Sequence, residues 1–111
     1  MIIKNIIERN VIEINNNRIT KVGCYAFCNC SNLTSINLPA ATSIENNAFY
    51  YCSKLTSIDL PKATSMEKNA FYQCRLLSAI HFGSSNRATI EANSYYSSKW
   101  GAFNATIYFD L

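Results

Sequence analysis

Three closely spaced cysteines and a single histidine are the side chains of this sequence whose chemistry could suit metal binding or catalysis. Cys24, Cys28 and Cys30 are spaced as C-x-x-x-C-x-C, and His81 is the only histidine. A closed zinc site needs four ligands, and Cys30 also belongs to a second, repeated set of cysteines. We therefore interpret Cys24 and Cys28 as surface thiols open to oxidation or crosslinking, and we predict no metal site and no cofactor.

His81 has no serine or cysteine partner that spacing assigns, so the sequence does not indicate a catalytic triad. We predict that the protein is not an enzyme. His81 occupies an outward strand position, and Asp59 occupies the same position one strand earlier, where Cβ atoms lie about 4.5–5.5 Å apart. Two interpretations stay open: the pair contacts a polar ligand or responds to pH, or it is a solvated surface pair.

A sequence motif of 22 residues repeats along the chain, and the structural elements that it forms must position these side chains. Alanines and cysteines both recur at this spacing: Ala26, Ala48 and Ala70; Cys30, Cys52 and Cys74. Units of this size cannot bury an apolar face alone, so about three or more must stack. Since crossovers between parallel strands are right-handed, the spacing predicts a right-handed, β-rich solenoid of the α/β repeat type. We expect little helix and a parallel sheet with one short strand per repeat.

The 111 residues are predicted to form a single domain, residues 1–111. It divides into an N-terminal cap, three repeats and a C-terminal cap: 1–17; 18–40, 41–62 and 63–85; 86–111. The N-terminal cap is predicted to be a β-hairpin of residues 2–7 and 11–14, with a short amphipathic helix at Ile3, Ile6 and Ile7 as the alternative.

Each repeat has two apolar walls. In the first, Ile58 and Leu60 point to one face of a strand, and Pro61 ends that strand. In the second wall, which contains Ile44, strands are expected to be short or absent. Phe49 is predicted to fill the interior and to contact its counterparts in the neighbouring repeats.

The C-terminal cap begins after the period slips at Gly83. Residues 90–95 resemble residues 44–49, which matches Ser94 with Ala48. A short helix is predicted over 89–98, and Ile107 is expected to align with Ile80 in a final strand. Four apolar side chains are predicted to close the last coil: Trp100, Phe103, Ile107 and Phe109.

The repeated cysteines, Cys30, Cys52 and Cys74, are predicted to be a column of buried free thiols. Strands lie about 4.7–4.9 Å apart, whereas disulfide Cβ atoms need roughly 3.5–4.5 Å, so each S–H is expected to donate to a backbone carbonyl. Reduced thiols favour a cytoplasmic or phage-particle location over secretion, and we see no signal peptide and no membrane span.

Two surfaces are candidate binding sites. The first is the outward row of the strands, with Asn37, Asp59, His81 and Tyr108, followed by Asp110. The second is an aromatic ridge formed by Tyr50 and Tyr72, which lie one period apart. Aromatic ridges suit recognition; the alternative is that these rings only shield the ends of the coils.

The bulk composition limits the classes of partner. Apolar residues make up 49% of the chain and charged residues 15%, which favours a packed core over disorder. The net charge of +3 is too small, and the basic residues too scattered, to indicate a nucleic-acid or membrane partner.

The phrase I-x-x-x-A-F-x-x-C-x-x-L-x-x-I-x-L-P, seen from Ile44 to Pro61, resembles the BspA-like leucine-rich repeat. The end of the chain resembles the closing segment of repeat proteins found in bacterial genomes and prophages. The resemblance implies cell-surface adhesion, host-protein binding or a phage-particle role, without enzymatic activity. We therefore predict a protein-binding module. The alternative is a structural or assembly component of a phage particle or adhesion array that self-associates through the terminal strand, residues 106–109.

Overall fold

The computed structural model describes residues 1–3 and 10–111, and in this part of the chain nine short strands form two parallel sheets. The first sheet contains four strands of two residues: β1 (Ile2–Ile3), β3 (Lys21–Val22), β5 (Ser43–Ile44) and β7 (Ser65–Met66). The second contains five strands: β2 (Glu13–Asn15), β4 (Ser35–Asn37), β6 (Ser57–Leu60), β8 (Ala79–Phe82) and β9 (Thr106–Tyr108).

The strands pair in parallel with their equivalents in the neighbouring repeats, which confirms the predicted β-solenoid. Ile36 aligns with Ile58, and Ile58 aligns with Ile80, in agreement with the 22-residue spacing. The expectation of one strand per repeat is corrected to two, because the wall that contains Ile44 also forms a strand in every repeat. Those strands have only two residues, since the chain enters the Ala-Phe turn directly after them.

The core lies between the two sheets and is built from columns of identical or similar side chains. Phe27 stacks on Phe49 with ring centroids 5.2 Å apart, and Phe49 stacks on Phe71 at 5.4 Å. All three rings are fully buried. Buried aromatic pairs of this kind stabilise a fold beyond the area that they remove from water, so the phenylalanine column ties each coil to the next.

The turn around each Ala-Phe pair depends on two residues with left-handed backbone conformation. They recur with the period of the repeat: Tyr25, Asn47 and Asn69 at the first position, and Asn29, Tyr51 and Gln73 at the second. Between the turns of neighbouring coils, the N–H of Phe27 donates to the carbonyl of Ala48 at 2.8 Å, and that of Phe49 to the carbonyl of Ala70 at 2.8 Å. Ala48 is fully buried, which explains why this position is small.

Threonine and serine hydroxyls add a second set of bonds between coils. Thr56 Oγ1 donates to the carbonyl of Thr34 at 3.1 Å, and Ser78 Oγ to that of Thr56 at 3.1 Å. The backbone N–H of Thr56 donates to the same Thr34 carbonyl at 2.9 Å. The Thr34 carbonyl therefore accepts two hydrogen bonds and the Thr56 carbonyl accepts three, which the sequence pattern did not predict.

The predicted N-terminal hairpin is wrong where the structure describes it. β1 pairs in parallel with β3, and β2 pairs in parallel with β4, so the two segments lie in different sheets. The segment instead follows the path of a repeat, since β1 and β2 continue the column pattern that Val22 and Ile36 begin. The remainder of the predicted hairpin and the alternative helix at Ile6 and Ile7 lie outside the described residues.

The C-terminal helix is shorter and begins earlier than predicted. Helix α1 spans Arg87–Glu91, after a 3-10 turn at Ser84–Asn86, and a second 3-10 turn covers Lys99–Gly101. The chain thus covers the last coil with short, irregular turns rather than with a helix over 89–98.

Trp100, not Ser94, takes the place of the alanine in the last coil. The N–H of Phe71 donates to the carbonyl of Trp100 at 2.9 Å, as Phe49 does to Ala70. Trp100 is fully buried, as predicted, and Ile107 and Phe109 pack against the core. The prediction for Phe103 is wrong: its side chain is 76% exposed. The predicted register of Ile107 with Ile80 is confirmed.

Candidate functional site

The second sheet aligns the four predicted outward residues in one row. Asn37 is the register partner of Asp59, Asp59 of His81, and His81 of Tyr108. Asn15 precedes the row, in register with Asn37. Because neighbouring parallel strands lie about 4.7–4.9 Å apart, the row is a regular series of polar side chains on a rigid sheet.

The two ends of this row are held by side-chain contacts. At one end, Asn37 Nδ2 donates to Asn15 Oδ1 at 3.3 Å. At the other, the rings of His81 and Tyr108 stack with centroids 4.8 Å apart and an interplanar angle of 12°. These contacts limit the motion of three of the four predicted residues, so the row presents its groups in a defined arrangement.

His81 and Asp59 are strand neighbours, as expected, but the hydrogen-bond partner of His81 is Asp110. Its Nδ1 lies 2.9 and 3.0 Å from the two carboxylate oxygens of Asp110. Sequence reasoning placed Asp110 in the outward row without pairing it with His81, because the path of the chain after β9 was unknown. In the described part of the chain, no serine or cysteine side chain is hydrogen-bonded to His81.

The tyrosine ridge extends further than the two predicted residues. The ring of Tyr50 contacts Tyr72 and Tyr25, each at 5.7 Å between centroids, and Tyr51 at 4.8 Å. All three contacts are edge-to-face, the geometry that the ring quadrupoles favour. We call these four residues the tyrosine ladder; Tyr25 and Tyr51 are 48% and 37% exposed, so the ladder is a surface and not only a covering of the coil ends.

The left-handed turn positions explain how the ladder forms. Tyr25 and Tyr51 occupy such positions, and Tyr50 and Tyr72 follow the Ala-Phe pairs of consecutive coils. Partial burial, and then the neighbouring hydroxyls of Tyr51, Tyr25 and Tyr72, raise the pKa of the Tyr50 hydroxyl above its usual value. The Tyr50 hydroxyl is therefore uncharged at neutral pH, and the ladder offers ring edges and hydroxyls to a partner.

The predicted column of buried thiols is confirmed. Cys52 Sγ donates to the carbonyl of Phe27 at 3.1 Å, and Cys74 Sγ donates to that of Phe49 at 3.0 Å. None of the five cysteines forms a disulfide. The contact with the Cys30 thiol lowers the pKa of Cys52, but the contact with the Cys74 thiol and burial raise it more, so the Cys52 pKa lies far above its usual value.

The cysteines at variable repeat positions are the accessible ones. Cys24 is exposed and Cys28 is partly buried. Among residues 1–3 and 10–111, no group of three or more histidine, cysteine, aspartate or glutamate side chains is placed to hold a metal ion. Within the same residues, no helix has the length and apolar character needed to cross a membrane.

Comparison with known proteins places the repeat in a family. The family model described as BspA type leucine rich repeat region (6 copies) matches residues 4–107. No curated protein and no solved structure matches the chain at a significant level.

Proposed function

The chain belongs to the BspA-type leucine-rich repeat family, and we propose that it is a non-enzymatic module that binds another protein. Solenoids of stacked repeats provide extended surfaces of this kind. The observation that carries the proposal is the unbroken row from Asn37 to Tyr108, which the register aligns across four strands.

The chemistry of the row supports a macromolecular partner. An amide, a carboxylate, an imidazole and a phenol follow one another at strand spacing, so a partner with matching donors and acceptors can meet several at once. A flat row of this kind is unlike the concave, mostly apolar clefts of about 300–1,000 Å³ that take small ligands. The tyrosine ladder, with Tyr50 and Tyr72 at its centre, is a second candidate surface for the same partner.

The two surfaces can be separated by mutation. One variant replaces the row, Asn37, Asp59, His81 and Tyr108, with alanine; the other replaces Tyr50 and Tyr72. Each is used as bait for affinity capture from the native host, followed by mass spectrometry, beside the wild type and a control in which the exposed Lys54 and Lys62 are replaced with alanine.

We expect a protein that is captured by the wild type and by the control but is not captured by one of the two variants. Thermal melting of each bait excludes misfolding as the cause. A partner captured equally by all four baits would show that neither surface binds it, and this would contradict the proposal.

A second candidate function is assembly, in a phage particle or a cell-surface adhesion array. It is favoured by the position of β9, which is the outermost strand of the second sheet and pairs only with β8 in the described residues. An open strand edge can pair with a strand of another chain. Light scattering tests this: a mass that rises with concentration, and that Ile107→Pro returns to the monomer, supports assembly. A monomer at every concentration counts against it.

A further inference from the structure

A cavity of about 150 Å³ lies where the third turn meets the segment that follows Trp100. Seven residues line it: Tyr72, Gln73, Cys74, Arg75, Gly101, Phe103 and Asn104. It is too small for a drug-sized ligand, whose pockets are about 300–1,000 Å³, but it has room for one side chain. Through Tyr72 it adjoins the tyrosine ladder.

A backbone donor without an acceptor lies in the wall of this cavity. In the two preceding coils, the N–H of Asn29 donates to the carbonyl of Tyr50 at 2.7 Å, and the N–H of Tyr51 donates to that of Tyr72 at 2.9 Å. Gln73 is the third residue of this series and has the same left-handed backbone, with φ of +63°. Its N–H has no acceptor in the described part of the chain.

The irregular C-terminal segment explains this unpaired N–H. Phe71 donates to Trp100, so the acceptor for Gln73 would be two residues further on, at Ala102. The carbonyl of Ala102 instead accepts the N–H of Ala105 at 3.0 Å. The Gln73 N–H therefore points toward the C-terminal segment, as its counterparts point toward the following coil, and the cavity lies between the two.

Gly101 keeps the floor of the cavity open. Its φ is +90°, and a Cβ at this position would lie 3.1 Å from Cα of Tyr72 and 3.2 Å from its nitrogen. A side chain at residue 101 would thus press on the backbone next to Gln73. Only glycine combines this conformation with such a close approach.

The charge of the lining favours an anion. Of the described residues that line the cavity, Arg75 carries the one formal charge, and none is a carboxylate. Arg75 Nε donates to Gln73 Oε1 at 3.0 Å, which holds the guanidinium beside the residue with the unpaired N–H. A carboxylate can accept from a guanidinium and a backbone N–H together, and such charge-assisted bonds are the strong ones.

We infer that this cavity binds the carboxylate of an aspartate or glutamate side chain presented by the protein partner. The Gln73 N–H and the Arg75 guanidinium donate to it, and the rings of Tyr72 and Phe103 contact the residues on either side. A side chain fits better than a chain terminus, because the rings of Tyr72 and Phe103 also line the cavity and a continuing chain can cover both. This inference rests on the proposed protein-binding function and names the chemistry of the partner.

Nuclear magnetic resonance of the ¹⁵N-labelled protein tests it directly. The probe is the blocked peptide acetyl-Leu-Glu-Tyr-amide, and the control peptide has glutamine in place of glutamate. The Gln73 amide resonance is expected to move downfield and to saturate with the glutamate peptide alone. The Tyr51 amide, which is already hydrogen-bonded to Tyr72, is expected to move little.

Two variants complete the test. Arg75→Ala removes one charge-assisted hydrogen bond and is expected to weaken binding roughly tenfold or more. The matched control, Lys54→Ala, removes one exposed positive charge in another coil and is expected to leave the affinity unchanged. Three results would each overturn the inference. They are equal shifts with the two peptides, equal affinity of Arg75→Ala and the wild type, and tighter binding of a peptide with only a terminal carboxylate.

The proposed function and this inference fail in different ways. The inference alone is overturned if the captured partner depends on the row from Asn37 to Tyr108 but not on Arg75, and if the Gln73 amide resonance does not shift when the peptide is added. The proposed function alone is overturned if the peptide binds at Gln73 but the captured partners depend on neither candidate surface.

Discussion

Asn93 donates a hydrogen bond from Nδ2 to the carbonyl of Met66 at 2.7 Å. In the preceding coils, the equivalent carbonyls of Val22 and Ile44 accept the backbone N–H groups of Glu45 and Glu67, at 2.9 and 3.0 Å. A side-chain amide thus replaces a backbone amide where the first sheet ends. The side-chain oxygen Oδ1 of Asn93 also accepts from the indole Nε1 of Trp100, at 3.0 Å, so one residue closes the sheet and orients the tryptophan.

Replacing Asn93 with alanine is expected to lower the free energy of unfolding by about 2–4 kcal/mol, because the Met66 carbonyl and the Trp100 indole N–H both lose a partner. Urea unfolding measures the loss. Asn17→Ala, at an exposed position, is the matched control and should change stability by less than about 0.5 kcal/mol. Equal stability of the two variants would show that Asn93 does not close the sheet.

The phenylalanine column is expected to be the most sensitive part of the core. Phe49→Ala removes a ring that stacks on Phe27 and Phe71 and should cost about 3–5 kcal/mol, because the coils above and below cannot collapse into the space. Phe49→Leu should cost less. Leu76 is 56% exposed, and Leu76→Ala is the control. A loss for Phe49→Ala no larger than that of the control would contradict the column as the main link between coils.

Thiol reactivity should separate the exposed cysteine from the buried column. In the folded protein, Cys24 is expected to react first with iodoacetamide, and Cys52 and Cys74 only after unfolding, because their buried thiols are out of reach of the reagent. Peptide mapping by mass spectrometry after timed labelling gives the order. Cys24→Ser should remove the fast phase, and in denaturant all cysteines should react. Labelling of Cys52 in the folded protein at the rate of Cys24 would be the contrary result.

Stability should fall in alkaline solution because of Cys52. Its pKa lies above the ordinary value of 9.0 in the folded protein, so above about pH 9 the unfolded chain releases a proton that the folded chain keeps. The contribution of the Cys52 thiol to the free energy of unfolding is thus complete below the pKa that this thiol has in the unfolded chain. It is lost as the pH rises above that value, by at most about 1.4 kcal/mol per pH unit.

Urea unfolding between pH 8 and 10 compares the wild type with Cys52→Ala. The variant should be less stable at pH 8 but should lose stability less steeply with rising pH. Since other groups titrate in both proteins, the difference between the two slopes is the relevant quantity. Parallel slopes would mean that Cys52 does not set the alkaline limit.

Where the 22-residue period holds, sequence reasoning predicted the register of the sheet residue by residue. Ile58 pairs with Ile80, and Asp59 with His81, because a strict repeat allows only one alignment of stacked coils. Where the period slips, the prediction was wrong: Ser94 was matched with the alanine position that Trp100 occupies. A single insertion shifts every later residue, and the length of a surface loop leaves no periodic signal.

By itself, the sequence determined the solenoid, the buried thiols and the row from Asn37 to Tyr108, since each follows from equivalent side chains lying one above the next. Only the tertiary structure decided how the stack ends. Three features lie at the last coil: the amide of Asn93 at the Met66 carbonyl, the pairing of His81 with Asp110, and the unpaired N–H of Gln73. There the partners come from segments without a repeat, and their contacts depend on the path of the chain rather than on its period.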